Sequence, residues 1–263
     1  MTARDDPSRA REDGRVLLGM LTPSSNTVLE PVCAGMLRGL PEVSAHFARF
    51  RVTSIALDDR SLGQFEEGPM LEAASLLADA RVGSICWNGT SASWLGLDTD
   101  RRLCAAIEAR TGIPATSAVL AVAEIFRRAG VRRFGLVTPY TGDVQARILG
   151  NLAREGFGCV ADRRLDIADN FAFSRTPAEV LAGMVREVAA ARPEAIAILC
   201  TNLRAAPLVE ALERETGIPV HDSVAAAVWA SLRLAGADPR RVTGWGGLFR
   251  MGASLPGGQD ERV

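Results

Sequence analysis

Cys200 stands at the end of a short apolar run, residues 195–199, and is followed by Thr201 and Asn202. Such a run followed by a helical pattern, here residues 203–215, is typical of a buried parallel strand leading into a helix. Ligands of open α/β sheets bind outside the carboxyl ends of the strands, near free N–H groups of the next helix. A helix N-terminus stabilises a thiolate, so this placement predicts a thiol that is nucleophilic or basic near neutral pH. The alternative is a small buried apolar side chain, and this stretch alone favours neither.

Three short motifs recur in the two halves of the chain, in the same order. They are Thr-Pro at residues 22–23 and 138–139, small polar clusters at 88–93 and 200–202, and Thr-Gly-Ile-Pro at 111–114 and 216–219. Strands alternate with helices around them, which favours parallel sheets. The repeat predicts an α/β fold of two similar Rossmann-like lobes with parallel sheets, related by a pseudo-twofold axis, with the active site in the cleft between them.

The same pattern divides the chain into segments. We expect a disordered leader over residues 1–14, a discontinuous first lobe over 15–116 plus 222–250, a second lobe over 117–221, and a flexible tail over 251–263. Residues 58–69 form a polar, glycine-containing loop that is long enough to be a lid candidate.

Composition excludes several classes of function. The net charge of -1 gives no reason to expect nucleic acid or an anionic membrane as a partner. Neither a signal peptide nor an apolar run of membrane-spanning length is present, and the five cysteines form no CxxC pair, which predicts a protein of the reducing cytoplasm without disulfides. The spacing of His46 and His221 fits no metal site, and no glycine-rich nucleotide motif follows a strand, so we expect no metal and no cofactor. A homo-oligomer is compatible with this composition.

The polar residues at the strand ends define the candidate substrate contacts. Cys200 is the candidate catalytic residue. The candidate substrate-binding residues are Pro23, Ser24, Asn26, Gly89, Thr90, Ser91, Tyr140, Asn170, Thr201 and Asn202. Neutral donors of this kind suit a carboxylate that develops into an enediolate. Taken one at a time, such residues more often cap helices, but as a set beside a cysteine they favour an anion pocket.

In the order of these motifs the chain resembles the Asp/Glu racemase superfamily, in its branch of maleate cis-trans isomerases and arylmalonate decarboxylases. The resemblance covers about residues 15–240 and rests on residues 22–30, 88–91, 138–140, Asn170, Cys200, 208–210 and 217–220.

This resemblance implies that Cys200 is the second-lobe cysteine and that Gly89 stands where the isomerases carry a first-lobe cysteine. Cys86 lies three residues earlier, inside the strand, and its side chain would have to leave the core to serve. A racemase needs an acid and a base on opposite faces of its substrate, so a single thiol favours an arylmalonate-type decarboxylase. In such an enzyme the one cysteine protonates an enediolate.

Two alternatives stay open. One is a maleate isomerase or an Asp/Glu-type racemase in which Cys86, His221 or a water replaces the missing thiol; the loop at residues 24–26 and Asn170 look more like the isomerase. The other is a catalytically silent, two-lobed carboxylate-binding protein. Rapid alkylation of Cys200 at neutral pH would favour an enzyme over this binding protein.

Overall fold

A computed structural model of the chain describes residues 14–55, 57 and 67–251. The predicted leader, apart from Gly14, lies outside the described residues, as do most of the lid candidate and of the tail. The described residues form two four-stranded, fully parallel sheets with flanking helices. The predicted fold class is thereby confirmed. None of the helices in this part of the chain is long and apolar enough to span a membrane.

The first sheet has the strand order β2-β1-β3-β4. Its strands are β1 (Val16–Pro23), β2 (Val43–Phe50), β3 (Ser84–Trp87) and β4 (Ala115–Ser117), with helices α1 (Leu29–Leu37), α2 (Glu67–Asp79), α3 (Ala92–Leu95) and α4 (Leu97–Thr111). The central strand β3 is buried along its whole length, as expected for a parallel sheet covered on both faces.

The second sheet repeats this order as β6-β5-β7-β8. Helix α5 (Ala118–Arg128) leads into β5 (Arg133–Thr138), α6 (Gly142–Arg154), β6 (Gly158–Arg164), α7 (Asn170–Phe173), α8 (Ala178–Ala189), β7 (Ala195–Ile198), α9 (Val209–Thr216), β8 (Val220–Asp222) and α10 (Ser223–Leu234). Short 3-10 turns follow at Ala206–Leu208, Pro239–Arg241 and Gly247–Arg250.

The Thr-Gly-Ile-Pro repeat has the same hydrogen bonds in both lobes. Gly112 and Gly217 end α4 and α9 in the left-handed conformation, each with φ near +71°, which glycine adopts without strain. The threonine before each glycine donates its hydroxyl to a helix carbonyl at 2.7 Å. Glu108 and Glu213 each accept an N–H from the strand that follows, at 2.9 and 3.0 Å. The sequence repeat is therefore a structural repeat.

The helix that follows the last strand of each sheet packs on the other lobe. In α5 the Phe126 ring lies 5.4 Å from Phe134 and 5.3 Å from Phe157. In α10 the carbonyl of Ser231 accepts a hydrogen bond from Ser84 of the first sheet at 3.1 Å. These contacts hold the lobes together; the predicted lobe boundaries stay a prediction.

Candidate active site

Cys200 lies just beyond β7, at the carboxyl end of the second sheet, and is 3% exposed. Its N–H donates to Ser223 Oγ at 3.0 Å, and that hydroxyl donates to the carbonyl of Ile198 at 2.8 Å. The N–H of Asn202 points at the Cys200 sulfur at 3.4 Å. Backbone and hydroxyl contacts thus fix the direction of the thiol.

Of the two alternatives for Cys200, this environment favours a buried, protonated thiol over a nucleophilic or basic one. Burial raises the pKa of Cys200 to about 12, against the weaker opposing effect of hydrogen bonds from Asn202 N–H, Tyr140 and Leu203 N–H. The predicted helix over residues 203–215 begins only with the 3-10 turn Ala206–Leu208 and α9, so no helix N-terminus lies directly at the sulfur. At neutral pH the thiol is protonated, and Cys200 is suited to donate a proton. Rapid alkylation at neutral pH is therefore not expected even of an enzyme, and it does not separate an enzyme from a binding protein here.

A pocket between the two sheets collects residues from both lobes. It is lined by Pro23, Val52, Ile55, Trp87, Gly89, Thr90, Ser91, Trp94, Tyr140, Asn170, Cys200 and Thr201. Eight of these are the predicted catalytic and substrate-contacting residues. The cavity volume is about 20 Å³, room for about one water.

The polar side of the pocket centres on Thr90 and Tyr140. Their oxygens lie 2.5 Å apart, and burial raises the pKa of Tyr140 well above its usual value, so its hydroxyl stays protonated. The Tyr140 ring is held edge-on by Trp94 at 5.1 Å and by Phe173 at 5.6 Å. None of the described residues that line the pocket carries a charge, so it would hold an anion with neutral donors.

Two predicted contacts, Asn26 and Asn202, are engaged in bonds between the lobes. Asn26 donates to Thr201 Oγ1 at 3.1 Å and accepts the backbone N–H groups of Val28 and Leu29, just before and at the start of α1. Asn202 accepts from the Thr27 N–H at 3.0 Å and donates to the Asn170 carbonyl at 2.6 Å. The structure does not bring either of these amides to the pocket wall.

Ser24 also lies away from the pocket. It is exposed, and its hydroxyl exchanges hydrogen bonds with the backbone of Val52 at 3.1 and 3.3 Å. Its neighbour Ser25 instead accepts from the Asn170 side chain at 2.8 Å. Direct contacts of Ser24, Asn26 and Asn202 with a ligand stay predictions.

The suggested substitutes for a second thiol lie outside the pocket. Cys86 is fully buried in β3, with its sulfur 3.7 Å from the carbonyl of Trp87, and burial raises its pKa to about 12. His221 lies in β8 with its ring 6.0 Å from that of Phe126, and burial lowers its pKa to about 4. Within residues 14–55, 57 and 67–251, no three His, Cys, Asp or Glu side chains are grouped so as to hold a metal ion.

The sequence missed the apolar wall formed by Val52 and Ile55. Strand β2 ends at Phe50, and the chain beyond it turns toward the second lobe. There Ile55 N–H donates to the carbonyl of Ala168 at 3.0 Å. The two apolar residues that follow the strand, Val52 and Ile55, are the signal in the sequence that could have indicated this wall.

The fold and the site define a two-lobed α/β protein with one thiol, that of Cys200, in the pocket between its parallel sheets. The chain belongs to the arylmalonate decarboxylase family, whose model matches residues 28–249. The predicted resemblance is confirmed.

Relatives include a decarboxylase and an isomerase. The arylmalonate decarboxylase of Bordetella bronchiseptica is 34% identical over 235 residues, covering 88% of this chain and 95% of that protein. A maleate isomerase of Nocardia farcinica is 28% identical over 248 residues, covering 90% and 97%. A solved structure from Nocardia farcinica shows a cysteine-to-serine variant of maleate cis-trans isomerase with a covalently bound succinylcysteine intermediate. It is 26% identical and covers 90% of this chain and 99% of its own, with a TM-score of 0.83.

Proposed function

We propose that the chain is a cofactor-independent decarboxylase of small, substituted malonates, with Cys200 as its proton donor. One observation carries the proposal: the interlobe pocket presents a single thiol, and the facing strand end presents Gly89. A diacid that loses one carboxylate needs one proton on one face, which a single thiol supplies.

The donors on the polar side would hold the carboxylate that remains. Thr90, Ser91, Tyr140 and the backbone N–H of Thr201 line or adjoin the pocket and carry no charge. Charge develops on this carboxylate as it becomes an enediolate, and a well-aimed donor then contributes about 10²–10³ in rate. Among the described residues, Val52 and Ile55 form an apolar side that offers a departing carboxylate no polar partner, which favours its loss as neutral CO2.

The proton balance fits the state of the thiol. When the bond between the α-carbon and one carboxylate breaks, its electron pair stays on the enediolate and CO2 leaves. Cys200 then transfers its Sγ proton to the α-carbon, and a proton from water restores the thiol. Because burial raises the pKa of Cys200 to about 12, the proton is in place before the substrate arrives.

Maleate isomerase is the second candidate, because an isomerase relative matches over most of the chain. That relative's structure holds a succinylcysteine intermediate, in which a cysteine has bonded to the substrate carbon. Such an addition needs a thiolate, which the burial of Cys200 disfavours. A racemase needs a second acid–base group, and Gly89 supplies none.

A direct assay compares CO2 release from α-methyl-α-phenylmalonate by the wild type, Cys200→Ala and Cys159→Ala. Cys159 lies on the edge strand β6, outside the pocket, and is the matched control. We expect turnover by the wild type and Cys159→Ala and none by Cys200→Ala. Retained turnover by Cys200→Ala contradicts the mechanism. Conversion of maleate to fumarate identifies the isomerase. Tight binding of malonates with no turnover of any of these compounds identifies a carboxylate-binding protein.

A further inference from the structure

The side chain of Trp87 covers the position where Gly89 would carry a side chain. A Cβ atom at Gly89 would lie 1.9 Å from Trp87 Cζ2 and 2.4 Å from Cε2, far inside van der Waals contact. The indole edge therefore rests against the glycine backbone. A side chain at position 89 fits only if the tryptophan ring moves, so glycine is required here for the close approach.

Packing holds the ring of Trp87 in this place. The residue is the last of β3, fully buried, and pairs with Leu21 of β1. Its ring lies 5.0 Å from that of Phe50, and the same residue lines the pocket with Cys200. A rotation away from Gly89 would have to displace these neighbours, which a close-packed interior resists.

The indole nitrogen of Trp87 lacks a partner. Nε1 is buried and makes no hydrogen bond within the part of the chain that the structure describes. It is bonded to Cε2, the atom 2.4 Å from the Gly89 Cβ position, so the N–H lies one bond away from the ring edge that covers this pocket-lining glycine. A buried donor without an acceptor is unfavourable, and a ligand oxygen in the pocket would satisfy it.

We infer that Trp87 forms the first-lobe face of the active site and determines its specificity. The inference rests on the proposed function. The ring fills the space that a second acid–base group needs, so the α-carbon receives its proton only from Cys200. The Nε1–H donates to a carboxylate oxygen of the bound malonate.

The donor role is tested by the affinity for phenylmalonate, measured by calorimetry in a Cys200→Ala background so that turnover does not intervene. Adding Trp87→Phe keeps an aromatic ring but removes the N–H, and we expect binding about 10- to 100-fold weaker. Trp229→Phe is the matched control, since Trp229 is buried in α10 outside the pocket and its Nε1 likewise makes no hydrogen bond to any described residue. Equal affinity of the Trp87→Phe chain and its parent overturns the donor role. If the Cys200→Ala parent binds no phenylmalonate, the proposed function itself is refuted.

The blocking role is tested with single enantiomers of 2-phenylpropionate in heavy water. An introduced thiol at position 89 can take the α-proton on one face while Cys200 delivers one on the other, which racemises the acid. We expect racemisation by the double variant Gly89→Cys/Trp87→Leu and none by Gly89→Cys or Trp87→Leu alone, with melting temperatures checking that each is folded. If the Gly89→Cys chain unfolds while the double variant folds, this also supports a steric overlap between a side chain at position 89 and the Trp87 ring. Racemisation by Gly89→Cys alone at the rate of the double variant overturns it, as does a folded double variant that does not racemise.

Discussion

The alkylation rate of Cys200 should keep rising tenfold per pH unit well beyond pH 9. Burial raises the pKa of this thiol from 9.0 to about 12, a shift of three units. At neutral pH its thiolate fraction is therefore about 10³-fold below that of an ordinary cysteine, because each unit is a factor of ten. Iodoacetamide reacts only with the thiolate, so the labelling rate should fall by at least that factor.

The assay treats the folded protein with iodoacetamide between pH 7 and pH 10 and quantifies each cysteine peptide by mass spectrometry. Cys159 is the internal control: it is partly exposed, and burial raises its pKa only to about 11. We expect Cys159 to be labelled first at every pH. A Cys200 rate that levels off between pH 8 and pH 9, or that exceeds the Cys159 rate at neutral pH, refutes a protonated donor and restores the nucleophilic thiol.

Tyr140→Phe should lower kcat/KM about 10²–10³-fold. The double variant Tyr140→Phe/Thr90→Ala should lose less kcat/KM than the product of the two single fold-losses, because the two oxygens share one 2.5 Å hydrogen bond. Burial lowers the pKa of His221 to about 4, so the buried imidazole is neutral in the folded protein. The free energy of unfolding should be unaffected by this group above pH 6.5 and should fall by about 3 kcal/mol as the pH drops from 6.5 toward 4. Denaturant titrations should show this loss in the wild type and not in His221→Gln. Asn26→Ala should lower the free energy of unfolding by about 1–2 kcal/mol, since it removes two hydrogen bonds from backbone N–H groups before α1 and one interlobe bond. Ser24→Ala should change turnover less than about twofold, since its hydroxyl is bonded to the Val52 backbone.

Three of these predictions have a specific contradicting result. Additive losses for Tyr140→Phe and Thr90→Ala would show that the two hydroxyls act independently. Equal acid sensitivity of His221→Gln and the wild type would mean that His221 is not buried in its neutral form. A large loss of turnover in Ser24→Ala, with stability unchanged, would place Ser24 at the ligand.

The repeat was readable in the sequence because its hydrogen bonds depend on residue types in fixed local positions. Gly112 and Gly217 end helices in a conformation that glycine favours, and the neighbouring threonines bond to their own helices. Strand β6 gave no comparable signal. It is a partly exposed edge strand ending in two arginines, so it has no continuous apolar run.

Within the site, the sequence predicted which strand ends meet but not where individual side chains point. Thr90, Tyr140 and Cys200 line one pocket because the carboxyl ends of the two sheets face each other. Ser24 turns outward to Val52, and this depends on a contact between segments 28 residues apart. The protonation state of Cys200 and the cover of Gly89 by Trp87 follow from three-dimensional burial and packing, which no local pattern encodes.

Protonation of an enediolate from one face by the single thiol of Cys200 is tested most directly by turnover of α-methyl-α-phenylmalonate in heavy water, with mass and chiral analysis of the 2-phenylpropionate. We expect CO2 release, one deuterium at the α-carbon and a single enantiomer, all dependent on Cys200. A racemic deuterated product, or the same enantiomer formed by Cys200→Ala, contradicts it.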